Sequence, residues 1–101
     1  MRMIYDPGIL HVALAAAVGD DPQLIAELRG VFLESANALV IQLRGSRSDA
    51  NWRMASLRLQ GLAASFGAVA LMNAAEKAAE GAPGDPVALR QIDVAIAEFD
   101  A

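Results

Sequence analysis

The chain has 101 residues, enough for one domain with a single modest core. Hydrophobic residues make up 55% of it and aromatic ones only 5%, so alanine and leucine must build the interior, which suits close helix packing better than a β-sheet. The net charge is −4 and the eight Lys and Arg residues are scattered without forming a basic stripe, so neither nucleic acid nor an anionic membrane surface is an expected partner.

The first twenty residues are read as a short helix over about 7–18, opened by Asp6-Pro7. Arg2 followed by the apolar run Ile9 to Val18 loosely resembles a secretory signal, but Asp6, Pro7 and His11 interrupt it. Asp21-Pro22 opens a long helix over about 22–44. Aspartate accepts hydrogen bonds from first-turn amides, and proline fits where no amide donor is needed. Leu24, Leu28, Phe32, Ser35, Leu39 and Leu43 share one face of this helix. A further helix is expected over about 50–66, another over 68–80, and a last one over 86–99, opened by Asp85-Pro86. Leu89, Ile92, Ile96 and Phe99 align along that last helix. Gly19, Gly45, Gly81 and Gly84 mark stops or loops. No stretch alternates with the period of a strand. The expectation is an all-α protein: an antiparallel up-down four-helix bundle with a short extra N-terminal helix across one end.

The helix over 50–66 has two faces. Trp52, Ala55, Leu59, Leu62 and Phe66 form a core stripe. At about 100° per residue, Leu57 points nearly opposite to the stripe, together with Arg53, Gln60, Gly61 and Ala64. Gly61 lies in the middle of the helix, where glycine costs about 1 kcal/mol relative to alanine. That cost suggests close access to the helix at this point.

The segment from Ser56 to Ala68, reading Ser-Leu-Arg-Leu-Gln-Gly-Leu-Ala-Ala-Ser-Phe-Gly-Ala, resembles the signature of histidine-phosphotransfer domains. Leu59, Gly61, Ala63, Gly67 and Ala68 match that pattern. The helix order agrees across nearly the whole chain, including Gly19-Asp20-Asp21-Pro22 ahead of the long helix and Phe32-Leu33-Glu34 within it. The departures fall on the chemistry. Leu57 stands where the family has its phosphoacceptor histidine, Gln60 replaces the usual lysine, and Leu62 replaces a small residue. Phosphoryl transfer needs a nitrogen lone pair, and leucine has none. Gln60 offers a neutral amide where a cation would help hold the phosphoryl oxygens.

The resemblance therefore implies a protein-binding module of two-component phosphorelay signalling that is not an enzyme and carries no phosphate at the usual position. Its partner would be a response-regulator receiver domain or a histidine kinase, docked on the face of Arg53, Leu57, Gln60, Gly61 and Ala64. The alternatives are a structural or oligomerisation bundle, or phosphotransfer through another residue, with His11 the only histidine. A monomer is favoured. No metal or cofactor is expected: Asp20 and Asp21 serve as helix-start residues, Glu76 and Glu80 read as a solvated face, and Ser35 and Ser65 lack an adjacent base. The lack of cysteine excludes disulfides and Cys-ligated zinc and fits a cytoplasmic location. No apolar run is long enough to span a membrane.

Overall fold

The computed structural model describes residues 21–100. The expected helix over 7–18, its Asp6-Pro7 start and His11 lie outside the described residues. Within them the chain is all-α, with four helices and no strand. These are α1 (Pro22–Gly45), α2 (Asp49–Ser65), α3 (Val69–Ala79) and α4 (Pro86–Asp100). None is long and apolar enough to cross a membrane among the described residues.

Side-chain chemistry sets the helix starts. The Asp21 carboxylate accepts from the amides of Gln23 (3.0 Å) and Leu24 (3.3 Å). Asp85 does the same for Val87 (3.0 Å) and Ala88 (3.4 Å). Both aspartates satisfy first-turn amides that have no partner inside the helix, and a proline follows each. Ser48 caps α2 by accepting from the Asn51 amide at 3.1 Å. It places the start of α2 at Asp49, just ahead of the expected position near residue 50.

The end of α2 is equally explicit. Gly67 adopts a φ of 70°, a left-handed conformation that glycine takes without steric cost. Its amide donates to the Ala64 carbonyl (3.2 Å), and the Ala68 amide reaches back to Ala63 (2.9 Å). This pair of bonds is the Schellman helix stop. The Gly67-Ala68 pair thus has a structural role of its own: it ends α2 and begins α3 within three residues.

Each helix packs on its chain neighbour, α2 against α3 most extensively, and α4 returns to touch α1. Trp52, near the start of α2, donates from its indole Nε1 to the carbonyl of Ala78 near the end of α3 at 2.6 Å. That carbonyl is one of those a helix end leaves without an intrahelical partner. Phe32 of α1 lies between Phe66 at the end of α2 (centroids 4.8 Å apart) and Phe99 at the end of α4 (4.6 Å). Arg29 covers the other end of that cluster. Its guanidinium stands 5.1 Å from the Phe99 ring centroid and donates to the Phe99 carbonyl at 2.8 Å.

The core is richer in alanine than the leucine pattern suggests. Ala36, Ala63, Ala75 and Ala78 are completely buried. On α1 the buried residues are Ile25, Phe32, Ala36, Val40 and Leu43. Leu28, Ser35 and Leu39 are only half-buried, and Leu24 is exposed. The buried face is therefore rotated from the expected leucine stripe toward Ile25, Ala36 and Val40. Alanine allows two helix backbones to approach closely, so the line of closest contact follows the small residues and leaves the leucines at its edge.

Candidate functional site

α2 is fixed from within. Trp52, Leu59 and Ala63 are fully buried and Ala55 nearly so. Leu62 and Phe66, expected in the core stripe, are half-buried, while Ser56 takes a fully buried place. The Ser56 hydroxyl has no hydrogen-bond partner. A buried hydroxyl left unpaired is unfavourable, and it sits immediately beside Leu57 in the chain.

With the inner side so fixed, Leu57 points outward and is 43% exposed. Arg53 and Gly61, one turn to either side of it, are exposed as well. Gln60 and Ala64 are half-buried, so the five expected face residues form a ridge with Arg53, Leu57 and Gly61 at its crest. A methyl group placed on Gly61 would meet no atom within 4 Å from elsewhere in the chain. Among the described residues no packing requires glycine there. One turn further along, the Ser65 hydroxyl donates to the Gly61 carbonyl at 3.0 Å.

Met54 and Arg58 were not among the expected face residues, and the structure adds them. Met54 is 50% exposed and lies one turn before Leu57. Arg58 is exposed and lies one turn after Met54. Both line a cleft of about 360 Å³ between the end of α1 and the start of α2, with Gln42 and Asn51 among its walls. The i, i+3 and i, i+4 spacings of Met54, Leu57 and Arg58 were visible in the sequence. Spacing alone does not single them out, because methionine is as common in cores as on exposed faces. Ile41, 72% exposed on the last turns of α1, is the most exposed of the large apolar side chains among the described residues.

Chemically, this face offers apolar contact and guanidinium groups. Its central side chain is an isobutyl group, which can neither accept nor donate a proton. Ser35 is half-buried and Ser65 exposed, and neither has a histidine or carboxylate as a hydrogen-bond partner. Glu76 and Glu80 are exposed on and just beyond α3. No cluster of three or more metal-ligating side chains occurs among the described residues. No family model, curated protein or solved structure matches the chain.

Proposed function

We propose that the chain is a histidine-phosphotransfer-like binding module of two-component signalling, an antiparallel up-down bundle. It docks a receiver domain or a histidine kinase through Arg53, Leu57, Gln60, Gly61 and Ala64 and carries no phosphate at the usual position. It acts as an adaptor or competitor for that partner. One observation carries this reading: Leu57, at the position where the resembled family has its acceptor histidine, is 43% exposed on the side of α2 opposite the core. A position that only filled the bundle would be buried. A leucine covered by a partner there would contribute about 1.5–3 kcal/mol to binding. The open space over Gly61 supports close approach of that partner. The Trp52–Ala78 contact also supports the up-down arrangement, since a residue near the start of α2 meets one near the end of α3.

The test pairs the wild type with Leu57→His and with Leu57→His/Gln60→Lys in a phosphotransfer assay against phosphorylated receiver domains. The wild type is expected to bind a receiver and take no phosphate. The double variant is expected to gain acid-labile phosphate. Lack of binding to every receiver of the source organism would refute the reading.

A further inference from the structure

Half of the basic residues fall in one stretch of the chain. Between Ser35 and Ala75 stand Arg44, Arg47, Arg53 and Arg58 against the single acid Asp49, a net charge of +3. The whole chain carries −4, so the remainder carries −7. The scatter of basic residues seen in the linear sequence therefore hides a division between one cationic region and an acidic rest.

Within the cationic region the arginines are not equivalent. Arg44 is paired with Asp93 of α4. Arg47 donates to the Arg44 carbonyl at 3.3 Å. Arg53 and Arg58 are exposed and have neither an ion pair nor a side-chain hydrogen bond among the described residues. Asp49, one turn before Arg53, forms no ion pair with it. Helical spacing puts Arg53 beside Leu57 and Arg58 beside Met54, with Met54 and Leu57 themselves adjacent. The result is an apolar pair flanked by two unengaged guanidinium groups, continuing into the cleft that Met54 and Arg58 line.

We infer that this patch recognises an acidic protein surface with an apolar side chain at its centre. The inference rests on the docking reading above and adds to it the charge of the partner. Guanidinium groups bind carboxylates through paired N–H donors, and the two arginines sit where carboxylates around a central apolar contact would fall. The neutral Gln60 removes one cation from the expected docking face, while Arg53 and Arg58 retain two. A nucleic acid fits less well. The patch has no aromatic side chain to stack on a base, and the −7 carried elsewhere would repel a long polyanion.

The test uses the full chain, isotopically labelled, and follows its amide resonances. Three probes are added separately: a peptide with two leucines set among aspartates, the same peptide with lysine for aspartate, and a single-stranded DNA oligonucleotide. The acidic peptide is expected to shift resonances from Arg53 to Gly61, and the other two to leave them in place. Arg53→Glu/Arg58→Glu should weaken the acidic peptide at least about tenfold, because it reverses both flanking charges, while the circular dichroism of the bundle is unchanged. Receiver-domain affinity should fall at least about tenfold as salt rises from about 0.1 M to about 1 M and the screening length shrinks from about 10 Å to about 3 Å.

Shifts that appear elsewhere, or that the oligonucleotide produces equally, would overturn the inference. So would a receiver whose affinity ignores both salt and Arg53→Glu/Arg58→Glu yet is lost in Leu57→Asp; in that case the docking reading stands and the charge inference fails. Acidic-peptide binding at Arg53 to Gly61 without any receiver binding supports the inference and removes the receiver as partner.

Discussion

On the inner side of α2, Trp52, Leu59 and Ala63 are completely enclosed, and the one polar atom of the indole is bonded to Ala78. On the outer side, Met54 and Leu57 keep about half of their surface in water, and the space over Gly61 is empty. The two sides share a backbone and a helix length, so propensity does not explain the contrast. The inner side is determined by what this chain packs against it. Among the described residues nothing encloses the outer side, and on the docking reading its residue choices answer to a partner. Substitutions on the two sides should therefore separate stability from binding.

The largest expected effect is on the inner side. Trp52→Ala removes a fully buried indole and its hydrogen bond to the Ala78 carbonyl, which keeps the Gly81 amide at 3.0 Å as its remaining donor. A loss of about 3–5 kcal/mol is expected, measured by urea denaturation. Such a loss would use up much of the stability of a domain this small. A loss below about 1 kcal/mol would mean that the α2–α3 contact does not organise the bundle.

Next come the ends of the helix. Gly67→Ala forces a Cβ into a left-handed backbone and should cost about 1–2 kcal/mol. Ser56→Ala should have the opposite sign. It deletes a buried hydroxyl that has no hydrogen-bond partner, and a gain of about 1 kcal/mol is expected. Gly61→Ala is also expected to stabilise, by about 0.4–1 kcal/mol, because a helix favours alanine and the added methyl meets nothing. Thermal melts of the two glycine variants give the sharpest contrast. Both are Gly→Ala changes in or next to one helix, and their opposite signs would show that Gly67 serves the fold and Gly61 does not.

These same residues show what the sequence made legible. Asp21-Pro22 and Asp85-Pro86 place the starts of α1 and α4 because capping is a local interaction, written within four residues. The Gly67-Ala68 pair likewise marks a local event. Burial was less legible. Leu24 lies on the expected leucine face of α1 and is exposed, whereas Ile25 beside it is buried. Which side of a helix faces the core depends on how closely its neighbours approach. Here Ala36, Ala63, Ala75 and Ala78 set that approach, and alanine gives a weak signal in a hydrophobic pattern. For the site, the outward direction of Leu57 followed from the helical period alone. The membership of Met54 and Arg58 did not, because it required knowing which apolar residues the bundle leaves uncovered.

The smallest effect on stability should come from the substitution with the largest effect on binding. Leu57→Asp places a charge on a side chain already 43% exposed, beside the exposed Arg53 and Arg58. Leu57 is not part of the enclosed core cluster, so the change in stability should stay within about 1 kcal/mol. A carboxylate in a docked apolar contact would instead have to be desolvated or would hold the partner off, and receiver affinity should fall by about tenfold or more. The pairing of these two results is the informative part. A variant that melts like the wild type and no longer binds assigns Leu57 to the partner. A variant that melts well below it assigns Leu57 to the fold, and the contrast between the two sides of α2 would then be one of degree only.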